Sequence, residues 1–504
     1  MSLNSFGNKL RSGPLGAVFF VVVVLCVGVL AFTGIGSSLN SRQAPAVHTQ
    51  QPSDDVATIN GIPISVAKFQ NALENYKQEY EAYGPVPSIA NAGQLRVQAF
   101  KMLEVPLLEA QIAQQHGITV TSDELATERA KELDPYKTQL GLPASASESD
   151  INTALQQYGK TVDDLVDVND VRTDLLAKKY HDYLTESNQA SDATVRNYYQ
   201  QEHVRHIEVS NKRLPDAEAR ALALNLIGRI QKGADFATLV TQYSDDTSSK
   251  AKGGDDGWID QSTPFPPEFK VAALLLKPGQ VTATPVLIAQ FGYFIIQSEG
   301  SRSNLPKDFQ KNHQQYVQQV TTALSQLQQQ NDIEAARTKA NVVAVDSRLK
   351  ADLALSNLQP GDPTQNTVLA GVLSDYSKAL TSADDSEKAE IYASEAQVYQ
   401  LLGQTDQEVS AIKLALNNVE DSQLQVQLGD IYKQKGDAAD ALTQYQAASD
   451  HSYDNPDIHM QLKQDYTQLK QPALVAKETS WITNYEARQK QANAQLTPSP
   501  IIKQ

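Results

Sequence analysis

Residues 243–258 read YSDDTSSKAKGGDDGW, a run of hydroxyl and carboxylate side chains that ends among glycines. Gly253-Gly254-Asp255-Asp256-Gly257 is a glycine-rich loop. Outward on the N-terminal side, Phe236, Leu239, Val240 and Tyr243 recur at helical spacing. Further out, Leu222, Leu226, Ile227 and Ile230 mark an amphipathic helix over 216–232, ended by Gly233. Val204 to Val209 reads as a strand. On the C-terminal side, Pro278-Gly279 makes a turn, and Val281 to Leu287 and Tyr293 to Gln297 read as closing strands. Residues 203–300 therefore make a compact α+β unit.

The flanks are mostly helical. Val56 to Ile59 and Ile62 to Ile64 are short strands around Asn60-Gly61, a strong hairpin signal. Ser65 caps the helix that follows. Helical patterns run on to about residue 185. Leu95, Ala99, Met102, Leu103 and Leu107 share one face, Pro106 marks a kink, Gly117 a stop, and Thr121 with Glu124 a capping box. Residues 305–340 read as one long polar helix and Ala340 to Val345 as a strand. Beyond the linker QPGDPTQ, 358–364, the chain repeats. Ala396, Tyr399, Gly403, Ile412 and Ala415 recur as Gly429, Tyr432, Gly436, Tyr445 and Ala448, every pair 33 residues apart.

The N-terminal segment has its own physics. Lys9 and Arg11 precede LGAVFFVVVVLCVGVLAFTG at 15–34, which carries no charge. About 20 apolar residues span a bilayer core, and the basic flank stays in the cytoplasm. This is read as a retained anchor. The alternatives are a cleaved signal peptide and a lipidated Cys26, although Leu25 stands where a lipobox needs a small residue. Everything beyond Gly34 is then extracytoplasmic, in a single-pass protein of a bacterial cell membrane, periplasmic in its bulk.

Composition narrows the function. The net charge of −16, with no basic block interleaved with aromatics, argues against a nucleic-acid role. A single cysteine allows no intrachain disulfide and no cysteine metal site. His203 and His206 alternate to opposite strand faces, so they share no metal. No GxxxxGK[ST], G-x-S-x-G or H-E-x-x-H motif is present, and Gly159-Lys160-Thr161 lacks the upstream glycine, position 154 being Ala. Taken singly, His206 reads as a satisfied strand histidine, Asp245 and Asp246 as solvated carboxylates, and Phe265 and Phe269 as core.

Taken together, the blocks resemble a family. Arg205-His206-Ile207-Glu208-Val209 resembles the first strand of the parvulins, and Lys232-Gly233-Ala234-Asp235-Phe236 resembles the turn between their helices. Tyr243-Ser244-Asp245-Asp246, Ser248-Ser249, Gly253-Gly254-Asp255, Pro267-Glu268-Phe269 and Phe291 to Ile296 follow in the family's order. With its hairpin opening and trailing helix, the chain over about 56–345 looks like the SurA/PrsA/PpiD group of foldases. The 33-residue period resembles tetratricopeptide repeats, whose period is about 34.

Together these readings give an α+β multidomain chain. Its order would be an N-terminus at 1–14, a transmembrane helix at 15–34, a linker at 35–55 and a mostly helical chaperone domain at 56–190. A parvulin-like prolyl isomerase would follow at 200–301, and 302–350 would complete the chaperone module. A linker at 351–364, tetratricopeptide-like repeats at 365–490 and a tail at 491–504 would end it. The expected partners are unfolded or nascent exported proteins with X-Pro bonds, a protein on the repeats, and the membrane through the first helix.

The implied reaction needs no cofactor, metal or covalent step. A peptide bond resists rotation by about 18–20 kcal/mol, and X-Pro exchange takes tens to hundreds of seconds. The catalyst must favour the twisted bond over the planar one. His206 and Asp246 would be the catalytic basin, and Phe265 and Phe269 would line the proline cup, with Phe294 and Asp256 also at the substrate. Two of these depart from the family pattern. Phe294 stands where a second histidine is usual, and Asp256 where leucine is usual. The alternative function is therefore a catalytically weak or inactive parvulin-fold chaperone or scaffold, binding through its helices and repeats.

Overall fold

The computed structural model describes residues 55–496, apart from 84–86, 212–213, 215, 289–290, 359–363, 418 and 453–454. The expected membrane helix at 15–34 and the tether up to residue 54 lie outside the described residues. Among the described residues no helix is long and apolar enough to cross a membrane. Seven strands are present there: β1 (Asp55–Ile59), β2 (Ile62–Ser65), β3 (Gln201–Ser210), β4 (Asp255–Ile259), β5 (Val286–Ile288), β6 (Gly292–Arg302) and β7 (Val342–Ala344). Leu103–Asn341 belong to one compact unit. Two separated stretches, up to Met102 and from Val342 onward, make the other.

In the first unit the sheet runs β4-β3-β6-β5, antiparallel throughout. Alternation along β3 sorts its side chains. Ile207 and Val209 pack with Leu226, Phe236 and Leu239 from helices Asp216–Gln231 and Phe236–Tyr243. Val204 and His206 face the other side, with Phe294, Ile296 and Phe269 of helix Pro267–Leu274. Full burial of a side chain like Phe269 or Phe294 contributes about 1.5–3 kcal/mol. A separate cluster around Leu133, Ile151 and Val171 holds the helical part together. There the Thr121–Glu124 capping box opens helix Ser122–Gln139, as its sequence requires. Helix His313–Arg337 joins the two parts: Val320 enters the core under the sheet, and Asp332 accepts a 2.5 Å hydrogen bond from the buried Tyr180 hydroxyl.

Several expectations change here. The glycine-rich loop is shorter than its sequence implies, because Asp255–Ile259 form strand β4 on the edge of β3. The strand expected over Val281–Leu287 reduces to a single bridge, Val281 to Gln297, and then β5. Pro285 interrupts it, since proline has no N–H for a ladder. The helix expected over 305–340 begins only at His313.

The second unit begins with the hairpin. Asn60 and Gly61 take φ of 51° and 83°, the left-handed pair that a two-residue type I′ turn needs. On its other side β1 pairs with β7, Ala57 opposite Ala344 and Ile59 opposite Val342. Ser65 Oγ accepts from Lys68 N–H and caps helix Val66–Tyr83. Around them lie helix pairs, among them Asp385–Leu401 with Thr405–Ala415, and Ser422–Gln434 with Ala438–His451. Gly403 and Gly436, at φ 68° and 81°, each follow the first helix of a pair. The aligned positions trade volume. A Cβ on Gly429 would lie 2.5 Å from the Tyr445 ring, whereas Ala396 packs in one cluster with the smaller Ile412. The segment Ser88–Asn91 lies against these helices. Asp421 accepts from Ser88 Oγ and Ile89 N–H, at 2.9 and 2.8 Å, and Gln397 Nε2 donates to the Ala90 carbonyl at 2.6 Å.

Candidate active site

The YSDD stretch is stitched to the outer half of β3. Asp245 N–H donates to the Glu208 carbonyl at 2.8 Å, Ser210 N–H to Asp245 Oδ2 at 2.9 Å, and Glu208 N–H to Ser244 Oγ at 3.2 Å. The glycine turn then reaches the same edge of that strand. His206 N–H donates to the Gly254 carbonyl at 2.9 Å. Gly254 has φ of 86°, and a Cβ there would stand 2.4 Å from the His206 carbonyl oxygen. Both constraints exclude a side chain. The spacing between Tyr243 and Gly257 thus places two acidic residues around one imidazole.

His206 is completely buried. Its Nδ1 lies 2.6 Å from Asp256 Oδ2. Its Nε2 lies 3.4 Å from Asp246 Oδ2 and has no hydrogen-bond partner among the described residues. Asp246 is itself held. Ser248 Oγ donates to its Oδ1 at 2.7 Å and Ser249 Oγ to its Oδ2 at 2.5 Å, and both serine N–H groups point at the same carboxylate. Burial opposes ionisation of Asp246, but these donors and the His206 charge outweigh it and keep the carboxyl below its ordinary range. At His206, burial would lower the imidazole. The charge and hydrogen bond of Asp256, then the charges of Asp246 and Glu208, overcome this and raise it above its ordinary value. Burial pushes the Asp256 carboxyl up, and the attraction of His206 offsets this only in part.

Aromatic rings close the other side. Phe269 meets His206 edge-on at 5.7 Å between centroids, and Phe294 lies 5.4 Å from it. Phe265 stacks on Phe269 at 4.6 Å. All three are buried, and together they present an apolar wall to the imidazole. All six residues singled out from sequence gather in one place. Asp256 is set against the imidazole as its hydrogen-bond partner. Ser248 and Ser249 carry a role that sequence reading did not assign. Its signal was an Asp followed two and three residues later by hydroxyls, the local pattern in which side chain and backbone close on one carboxylate. His203 turns to the opposite face, with Asp255 at 2.9 Å and Glu299 at 3.4 Å.

Residues 192–302 match the model of the PPIC-type PPIase domain, and residues 8–139 that of the SurA-like N-terminal domain. The foldase protein PrsA of Caldanaerobacter subterraneus subsp. tengcongensis is 30% identical over 281 residues, which is 54% of this chain and 80% of that protein. The chain belongs to the PrsA foldase family. The PrsA foldase of Clostridium acetobutylicum is 29% identical over 349 residues, covering 64% of this chain and 96% of its own length. The crystal structure of PrsA from Bacillus anthracis is 23% identical, with 48% of this chain and 96% of that one covered and a TM-score of 0.19. This PrsA-family chain is a peptidyl-prolyl cis-trans isomerase and foldase, and its isomerase domain is the part that contains the His206 site.

Proposed function

We propose that rotation about X-Pro bonds is catalysed at His206 and Asp246, while the helical segments around the isomerase domain hold unfolded exported polypeptides outside the cytoplasm. The observation that carries this reading is the open Nε2 of a fully buried imidazole, aimed at Asp246 beside an aromatic wall. Twisting the imide removes its conjugation. The nitrogen becomes more basic, and the demand for hydrogen bonds at the carbonyl oxygen changes. Donors and charges fixed in place before the twist favour that state over the planar one. Phe265 and Phe269 supply the apolar face for the proline ring once they part to admit it.

The division into a chaperone domain at 56–190 completed by 302–350, an isomerase domain at 200–301 and repeats at 365–490 belongs to the same proposal. So do a membrane anchor at 15–34 and a partner protein on tetratricopeptide-like repeats. The test is the cis-to-trans rate of short X-Pro peptides with the full chain and its His206→Ala and Asp246→Ala variants. Each variant is expected to lose about 100-fold. Unchanged rates would remove His206 and Asp246 from the mechanism. One observation favours a second reading, chaperoning with weak isomerase activity: Phe265 and Phe269 are stacked and buried, so the cup is shut. Suppression of client aggregation without acceleration of the peptides would establish that reading.

A further inference from the structure

Asp256 occupies a position that the sheet itself singles out. Along β4, Trp258 pairs with His203 and Gly257 with Val204, but Arg205 pairs with Asp255. Asp256 is the residue without a partner, the extra residue of a β-bulge. A bulge turns one side chain out of strict alternation, and bulges gather beside active sites for that reason. Here Asp255 goes to His203 on one face, and Asp256 goes to His206 on the other. Gly254 and Gly257, at φ 86° and 74°, bracket the turn that makes this possible.

The placement is costly on its own. The residue is half-buried, but its side chain is only 5% exposed; a carboxylate so covered loses most of its hydration, and a buried charge is tolerated only when it is paired. It lies 2.6 Å from His206 Nδ1, within hydrogen-bond reach. The aromatic neighbours of the imidazole, Phe269 and Phe294, offer no acceptor to that nitrogen. Asp246 faces the opposite nitrogen, and Glu208 is the remaining carboxylate whose charge reaches the ring.

We propose that Asp256 is the positioning residue of this site: its carboxylate grips His206 by Nδ1, fixes the plane of the ring, and leaves Nε2 as the nitrogen presented to the rotating bond. The inference rests on the reading of His206 as catalytic. With Nδ1 engaged, the imidazole cannot flip end for end, and the proton on that side stays with the pair. Asp246, held by Ser248 and Ser249, then sets the distance on the open side.

The experiment compares full-length Asp256→Leu, Asp256→Asn, His206→Ala and the double variant Asp256→Leu/Phe294→His, each by kcat/KM on X-Pro peptides across pH. Asp256→Leu removes a charge-assisted hydrogen bond and is expected to cost about tenfold or more. Asp256→Asn keeps an acceptor but not the charge, so its His206-linked inflection moves to lower pH. In the double variant a histidine at 294, beside the His206 ring, offers a new partner for it and is expected to restore most of the Asp256→Leu loss. If His206→Ala is inactive while both Asp256 variants keep the parent rate and pH profile, the positioning role is wrong and the catalytic reading stands. If His206→Ala is as active as the parent, the catalytic reading falls and takes this inference with it. Should Asp256→Leu fail to fold, the pH profile of Asp256→Asn decides.

Discussion

Arg96 and His206 each sit between two carboxylates, one in each compact unit. Arg96 donates through Nε to Asp352 Oδ2 at 2.9 Å and through its terminal nitrogen to Asp346 Oδ1 at 3.0 Å. The second oxygen of Asp352 accepts from the Tyr376 hydroxyl at 2.9 Å, and the guanidinium lies over the Phe69 ring. Both oxygens of Asp352 thus have a donor. At His206 the same ingredients stop one bond short, since Nε2 is buried and unpartnered. A network that closes fixes a fold, because each buried charge is answered. A network held open at one atom keeps that atom available to something that is not part of the fold. Depth of burial does not separate the two. Completeness of bonding does.

The largest effect should come from breaking the closed network. Arg96→Leu removes the nearest cation from Asp352, a carboxyl that burial already pushes up, leaving it the Tyr376 hydroxyl and the charge of Arg348, and is expected to destabilise the second unit by about 3–5 kcal/mol in denaturant unfolding. Isomerase activity on short peptides should survive, because the His206 site lies in the other unit; a parallel loss of both would merge the two regions functionally. A smaller effect is expected at Gly254. Its Ala variant combines a left-handed φ with a 2.4 Å clash on the His206 carbonyl, for a cost of about 1–3 kcal/mol. Here stability and turnover should fall together, since β3 must move at His206 itself. A normal rate would show that the imidazole tolerates displacement.

The smallest effect concerns pH. Burial raises the Glu202 carboxyl to about 7, with Ser298 Oγ pulling it back. The folded state therefore keeps a proton that the unfolded state releases near 4.5. That contribution is full at low pH and is lost as pH rises through about 7. His206, also raised, acts in the same direction. The melting temperature should fall between about pH 5 and about pH 8, and Glu202→Gln should flatten the fall. An unchanged slope would leave His206 and Glu395, whose carboxyl burial also raises to about 7, as its sources.

Local signals were legible because their physics is local. Asn60-Gly61, Gly117, Thr121 with Glu124, and Gly233 each satisfy a turn or a helix end within a few residues, and each appears where the sequence puts it. The ordered blocks around His206 also located the site. Strand β4 was hidden because Asp255, Asp256 and Gly257 have little strand preference and are drawn into the sheet by β3. The bond between Asp256 and His206 was hidden for the same reason. It depends on a bulge, which is a property of two strands in register and leaves no periodic trace in either. The pairing of β1 with β7 lay equally out of reach, because nothing local links Ile59 to Val342.

That last pairing bears on the order in which the molecule is made. β1 is complete by Ile59, yet its outer neighbour begins at Val342. All of the first unit's described residues lie in the chain between them. Joining ends so far apart is a slow, late event compared with closing a hairpin. During synthesis β1 therefore spends a long interval as an unfinished edge, while the isomerase domain has every residue it needs to fold. A chain stopped short of Val342 would carry that bare edge permanently, the form in which strands most readily pair with the wrong molecule.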